Sequence, residues 1–265
     1  MTKTILLTGA TDGIGLETAK SLVSLGHTVL LHGRNAAKLA AVENALSTGG
    51  GQVESYVADL SRITDVAALA AAVTNQHNKL DVLINNAGVF KVAKPITADG
   101  LDVRFVVNAI APYLLMQQLM PLLGRSGRVV NVSSAAQSPV DLEALVGQVK
   151  IPQDFTAYAQ SKLAITMWSR ALALREGSPM IVAVNPGSML GSKMVKQAFG
   201  TAGKDLQIGA DILTRAAVSD EFASASGKYF DNDSGRFAPP HPDALDIQKC
   251  EVLIQTIEAV LLKMA

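Results

Sequence analysis

Cysteine is almost missing from these 265 residues: Cys250 stands alone. One thiol excludes an internal disulfide framework and any multi-cysteine metal site, and it fits a reducing, cytoplasmic setting. Neither sign of charge is in excess, with Lys plus Arg at 23 and Asp plus Glu at 23. A net charge of zero argues against a dedicated nucleic-acid binder, whose affinity rests on surplus Lys and Arg facing phosphates. Charged residues are scarce (17%) and hydrophobic ones plentiful (49%), so the chain can bury a large core and is not disordered. No 18-residue run of uncharged apolar residues exists, and the N-terminal run Ile5-Leu6-Leu7 is far shorter than a secretory signal needs. The apolar stretch Cys250–Met264 is interrupted by Glu251, Gln255, Glu258 and Lys263, which suits an amphipathic helix rather than a membrane span. His27, His77 and His241 show no ligand spacing, so no metal is predicted.

What is present is an alternation of short apolar runs and longer helical patterns. Strands are predicted at Thr4–Thr8, Thr28–Leu31, Val53–Val57, Val82–Asn85, Arg128–Val132 and Met180–Asn185. Helical periods fill Ile14–Leu25, Ala36–Leu46, Thr64–His77, Leu101–Leu123 and Phe155–Arg175, with Pro112 inside the fourth as a candidate kink. Strand, helix, strand at this spacing predicts βαβ units on a parallel sheet. The strands show little alternation, as expected when helices cover both faces. Residues 1–265 therefore read as a single doubly wound α/β domain. From Gly187 onward the pattern is less regular, and residues 188–206 are a candidate lid over a site.

The first strand runs directly into Thr8-Gly9-Ala10-Thr11-Asp12-Gly13-Ile14-Gly15, where a helix begins. Glycines there allow close approach to a pyrophosphate, and the free N–H groups of a helix start favour negative charge. Gly9, Thr11, Asp12, Gly13, Ile14 and Gly15 are thus candidate phosphate-loop residues, with the spacing G-x-x-x-G-x-G. An NAD-type site carries an acidic residue at the end of the second strand. Here that strand ends Leu31-His32-Gly33-Arg34, and Arg34 offers a planar fork suited to a 2′-phosphate. NADP(H) is therefore predicted over NAD(H), with Asp12 as a mild counter-signal. His32 has no partner that the sequence names and reads as structural. Asp59, with Leu60 after the third strand, either accepts from the adenine amino group or caps the next helix. Asn86, Ala87 and Gly88 follow the fourth strand as a small loop against which a cofactor can lie.

The chemical end is predicted at Asn131-Val132-Ser133-Ser134 and at Tyr158-Ala-Gln-Ser-Lys162. On a helix, Tyr158 and Lys162 share a face. A neighbouring ammonium stabilises phenolate, and a tuned phenol can protonate a carbonyl oxygen, with a serine hydroxyl bonded to the same oxygen. Asn108, in mid-helix, reads as structural from spacing alone.

Thr8–Gly15 (TGATDGIG), Asn85–Gly88 (NNAG), Val130–Ser134 (VNVSS), Tyr158–Lys162 (YAQSK) and Asn185–Gly187 (NPG) together resemble the short-chain dehydrogenase/reductase family over nearly the whole chain. That resemblance implies one Rossmann-type domain with a mostly parallel sheet of about seven strands. It assigns Ser134, Tyr158 and Lys162 as catalytic with Asn108 as a fourth member, and Lys162 also to the nicotinamide ribose. It places Asn86 and Gly88 along the cofactor and Pro186 and Gly187 beside the nicotinamide. The Ser134–Tyr158 spacing, the Gly33-Arg34 strand end and Ser226-Gly-Lys-Tyr-Phe230 are similar to the retinol-dehydrogenase-like branch. One departure is Gly191 where the family often has a Thr or Ser bonding the carboxamide, which leaves Ser188 or Ser192 for that contact. Membrane-bound members carry an apolar N-terminal anchor that this sequence lacks, so retinol is not implied as substrate. The family often forms dimers or tetramers through the Tyr158 helix and the helix before it.

The expected activity is thus hydride exchange between a nicotinamide and a fairly apolar ketone, aldehyde or secondary alcohol. Val140, Met189, Leu190, Met194 and Phe199 are candidate pocket residues. Two other classes compete: a non-catalytic NADP(H) sensor, which has no need of Ser134, Tyr158 and Lys162 together, and an S-adenosylmethionine methyltransferase, which calls for an acidic residue where Arg34 stands.

Overall fold

The computed structural model describes residues 1–264, the side chains of residues 198 and 199 excepted, so Phe199 lies outside the described side chains. The predicted strands appear within a residue or two of their expected bounds: β1 (Thr4–Leu7), β2 (Thr28–Gly33), β3 (Gln52–Val57), β4 (Val82–Asn85), β5 (Arg128–Val132) and β6 (Met180–Asn185). Two further strands, β7 (Tyr229–Asp231) and β8 (Arg236–Ala238), close a hairpin, so the sheet has eight strands rather than about seven. Its order is β3-β2-β1-β4-β5-β6-β7-β8, parallel except for the β7–β8 pair. From β1 the chain winds outward to β3, then crosses back to β4. That reversal opens a crevice at the carboxyl ends of β1 and β4, the expected ligand position in such sheets.

Helices cover both faces. On one side lie α1 (Gly13–Ser24), α2 (Ala36–Leu46) and α9 (Gln207–Val218), packed on Ile5, Leu7, Val29 and Leu31. On the other lie α3 (Ile63–Gln76), α5 (Ala111–Leu123) and α7 (Asp154–Ala173), packed on Leu6, Leu30, Leu83 and Val129. In the inner strands successive residues alternate between two buried layers, which explains their mostly apolar runs, whereas the edge strand β3 (QVESYV) is partly exposed. The chain ends in α11 (Ile247–Met264), amphipathic as predicted, with Cys250, Leu253, Ile254, Ile257 and Val260 buried. Burial pushes the Cys250 thiol up to about 11, which makes it unreactive.

The segment predicted as one helix over Leu101–Leu123 has three parts: α4 (Val103–Phe105), a π turn (Val106–Ile110) and α5. Pro112 has no N–H to offer the Asn108 carbonyl at the α-helical spacing, and the backbone widens there. By length and composition Val103–Leu123 could cross a membrane, but 67% of its apolar window is buried inside this fold.

Arg104 lies at 1% exposure beside this turn. It bonds Asp102 (Nε–Oδ1 2.8 Å, Nη2–Oδ2 2.6 Å) and reaches Asp154 at the start of α7 (2.5 Å). Substituting Arg104→Met leaves the buried Asp102 carboxylate without its partner and the half-exposed Asp154 without its cation. Such a break costs about 3 kcal/mol or more, so thermal denaturation should show a fall in Tm on the order of 10 °C.

Candidate active site

The predicted cofactor residues come together in one cleft of about 930 Å³ at the carboxyl edge of the sheet. Gly9, Thr11, Asp12, Gly13, Ile14 and Gly15 form one end, with Arg34, Asp59 and Leu60 beside them. Asn86, Ala87 and Gly88 lie in the middle, and Ser134, Tyr158, Lys162, Pro186, Gly187 and Ser188 form the other end.

The glycine loop is built for close approach. Gly9 has φ +70 and Gly13 φ +56, left-handed values that favour glycine. Asp12 caps α1 by accepting from the Gly13 N–H (2.9 Å) and pairs with Lys193 on α8 (Lys193–Phe199). Burial alone would raise the Asp12 carboxyl, but bonds from Lys193 and Gly13 outweigh it and hold it below the usual range. Asn86 Nδ2 donates to the carbonyls of Thr8 (2.9 Å) and Gly9 (3.2 Å). Thr8 Oγ1 accepts from the N–H groups of Asn86 and Ala87 (3.0 Å each), which joins the ends of β1 and β4. Arg34 is exposed at the rim of the cleft. Asp59 is not the cap of α3: its Oδ1 accepts from the Ser61 N–H (3.0 Å) and hydroxyl (2.8 Å), and α3 starts after Arg62 with no side-chain cap.

At the other end, α7 places Tyr158 and Lys162 on one face, with Lys162 Nζ 5.6 Å from the Tyr158 ring centre. Lys162 is buried at 3% exposure and its Nζ donates to the Val132 carbonyl (2.7 Å). Burial lowers its ammonium to about 8. The phenol of Tyr158 moves the other way from the sequence expectation. Burial raises it, and the Ser134 hydroxyl bonded to it only partly offsets that. The protein alone thus holds Tyr158 in the protonated form at neutral pH.

Asn108 lies behind the cleft, not in its wall. Its Oδ1 accepts from the Val89 N–H (2.8 Å), and its Nδ2 donates to the Val89 carbonyl and the Ser161 hydroxyl (2.9 Å each). Ser161 in turn donates to the Tyr158 carbonyl (2.7 Å). One amide therefore ties the π turn to the loop after β4 and to the turn of α7 that carries Tyr158.

Several neighbours were not predicted. Asp233, in the β7–β8 turn, accepts from the Ser188 N–H (2.8 Å), the Ser188 hydroxyl (2.5 Å) and Asn185 Nδ2 (2.9 Å). Asn232 Nδ2 donates to the Pro186 carbonyl (2.9 Å). The hairpin thus holds the Pro186-Gly187-Ser188 turn, and Ser188 lines the cleft with its hydroxyl bonded to Asp233. Ser192 is used as the cap of α8, accepting from the Val195 N–H (3.3 Å). Phe90 meets the Tyr158 ring edge-on at 5.0 Å and Phe155 at 6.4 Å. Both line the cleft with Met189, Leu190 and Met194, while Val140 packs on the core instead. Lys91 and Lys94 also border the cleft, cations that the sequence reading did not place there. Among the described residues no cluster of His, Cys, Asp and Glu could hold a metal.

Known proteins match this chain in sequence and in structure. The short chain dehydrogenase family model matches residues 3–202. Human retinol dehydrogenase 13 is 32% identical over 266 residues, covering 92% of this chain and 80% of that protein. An uncharacterised protein of Mycobacterium paratuberculosis superposes with a TM-score of 0.80 at 28% identity, covering 98% of this chain and 93% of its own. A short chain dehydrogenase of Shigella flexneri 2a complexed with NADP gives a TM-score of 0.68 at 30% identity, with coverage of 87% and 96%. Together with the cleft and its ordered motifs, these matches make the chain an oxidoreductase-family protein: it belongs to the short-chain dehydrogenase family, in its retinol-dehydrogenase-like branch.

Proposed function

We propose that this protein is an NADP(H)-dependent oxidoreductase acting on a fairly apolar ketone, aldehyde or secondary alcohol. The observation that carries the reading is one cleft with a glycine-lined phosphate loop at one end and Ser134, Tyr158 and Lys162 at the other. The residues present fit a dinucleotide. A Cβ on Gly15 would lie 2.1 Å from the Gly9 carbonyl oxygen, so the loop closes on α1 only because no side chain stands there. The Shigella relative binds NADP in the same fold. A bound nicotinamide would supply or accept the hydride.

The chain's own residues do the rest. Tyr158 holds the proton that a carbonyl oxygen needs on reduction and takes it back on oxidation. Ser134 bonds the phenol and stands ready to bond the substrate oxygen. Lys162, anchored on Val132, keeps a cation beside the phenol and in reach of a ribose. Asn108 and Ser161 hold the α7 turn in register. Phe90 and Phe155 put apolar surface beside Tyr158, which favours apolar substrates. We place a substrate lid at residues 188–206, where Met189 has φ 60 and Lys193 bridges to Asp12 across the cleft.

Arg34 carries the cofactor choice. A charge-assisted pair with a 2′-phosphate contributes about 1.5–3 kcal/mol, so Arg34→Ala should weaken NADPH by roughly tenfold or more. The same variant should leave NADH within about twofold. Calorimetric titration of both cofactors tests this, and equal losses for the two would remove Arg34 from the assignment.

A further inference from the structure

His32 is a buried titratable group that neither the sequence reading nor the mechanism above uses. It lies near the end of β2 at 3% exposure. Its Nδ1 takes the N–H of Gly9 at 3.2 Å, and its Nε2 lies 3.1 Å from the Ala58 carbonyl. Gly9 can only donate and Ala58 can only accept, so one neutral tautomer satisfies both, with the proton on Nε2. Imidazolium would lose the Gly9 bond. Burial lowers the ring to about 4, which keeps it neutral at working pH.

The two groups that the ring joins belong to different walls of the cleft. Gly9 opens the phosphate loop, and its carbonyl sets how near α1 can approach, since it would meet a Cβ on Gly15 at 2.1 Å. Ala58 opens the turn that carries Asp59 and Leu60. Backbone bonds add to the same junction, from Ala10 N–H to the His32 carbonyl (2.9 Å) and from Ala58 N–H to the Gly33 carbonyl (3.3 Å). The sheet order β3-β2-β1 is what makes this possible, because a side chain at the end of the middle strand reaches the loops of both neighbours.

We propose that His32 is a positioning residue that sets the gap between the phosphate loop and the Asp59-Leu60 turn, and so presets the cleft for the adenosine and pyrophosphate half of the cofactor. This rests on the dinucleotide reading of the cleft. It acts on the part that NADPH and NADH share, so it governs affinity for both, whereas Arg34 governs the choice between them.

Two conservative variants separate the two arms of the ring. Asparagine puts an acceptor near the place of Nδ1 and keeps the Gly9 bond. Glutamine puts a donor near the place of Nε2, keeps the Ala58 bond and leaves the Gly9 N–H without its acceptor. Calorimetric titration of the full chain with NADPH and with NADH is the readout, with the Tm of each cofactor-free variant measured alongside. His32→Gln should weaken both cofactors about tenfold, as expected for a buried donor left unpaired. His32→Asn gives up the Ala58 bond and should also weaken both cofactors, but less, by about threefold, because an unpaired carbonyl costs less than an unpaired N–H, with the NADPH to NADH ratio unchanged in both. Equal affinities in wild type, His32→Asn and His32→Gln would overturn the proposal. So would equal losses in the two variants that follow their Tm, which would make the ring a fold strut alone. A wild-type protein that binds neither cofactor would instead overturn the dinucleotide reading itself, and the two failures cannot be confused.

Discussion

Tyr158→Phe should lower kcat by roughly 10³-fold while NADPH affinity stays within about threefold, because only the proton donor is lost. The ring that packs against Phe90 and lies near Lys162 remains in the variant, so the cleft keeps its shape. Single-turnover kinetics separate this from a folding defect: reduced cofactor should bind and then not be consumed. Turnover within tenfold of wild type would remove Tyr158 from the proton-transfer role. The sign of the pH dependence follows from the same pair. Burial raises the phenol, so it stays protonated well past neutral pH, while the Lys162 ammonium titrates at about 8. In the reductive direction kcat/KM should therefore fall above about pH 8, as Lys162 loses its charge in the free protein. A flat profile across that range would contradict the role of the buried cation.

Gly15→Ala should abolish tight cofactor binding and destabilise the fold. The added methyl would stand 2.1 Å from the Gly9 carbonyl oxygen and 2.4 Å from Asn86 Nδ2. Gly9 is itself held by Asn86 and His32, so the oxygen has nowhere to retreat. Overpacking of this kind costs about 1–3 kcal/mol, and moving the loop should cost at least 100-fold in NADPH affinity if the loop holds the pyrophosphate. Gly13→Ala is the control. Its methyl would find the nearest atom, Ser192 Cβ, at 3.7 Å, so only the backbone strain at φ +56 remains. That strain is about 1–2 kcal/mol. Denaturant melts and titrations of the two variants should therefore differ clearly, and equal affinities would mean that the gap at Gly15 has no part in binding.

The contrast between what the chain discloses as a string and what needs the fold follows from the range of each interaction. β1, β2, β4, β5 and β6 are legible because each is a mostly buried apolar run, and the edge strand β3 because Val53, Tyr56 and Val57 still show its composition. β7 and β8 are three residues each, too short for any period, and only their pairing with β6 and with each other defines them. The glycine loop and the Tyr158–Lys162 pair are local patterns with a physical meaning of their own. Asn108 is different. Its value lies in bonds to Val89 and Ser161, 19 and 53 residues away, so spacing alone gave it a structural reading. His32 reaches Gly9 and Ala58 across two strand boundaries, and no local rule predicts which strands are neighbours. Asp233 bonds Ser188 over 45 residues in the same way. Phe155 did carry a signal: it precedes Tyr158 by three positions on one helix, the spacing of a shared face. Phe90 comes directly after the Asn86-Ala87-Gly88-Val89 loop and could have been placed by that loop. The direction of the Tyr158 shift is set by burial, which needs the fold, while only the nearby cation is visible in the spacing.

A reduced nicotinamide bound in this cleft should be turned over against Tyr158. The most direct measurement mixes the wild-type protein with NADPH deuterated at C4 and a panel of apolar ketones and aldehydes. Reduced-cofactor absorbance is followed in time, and the product alcohols are assayed for deuterium. The expected result is loss of absorbance with deuterium on the carbinol carbon of at least one product, and neither signal in Tyr158→Phe. Tight NADPH binding with no consumption against any carbonyl, and no oxidation of the matching alcohols with NADP, would contradict it and make the protein a cofactor-binding sensor.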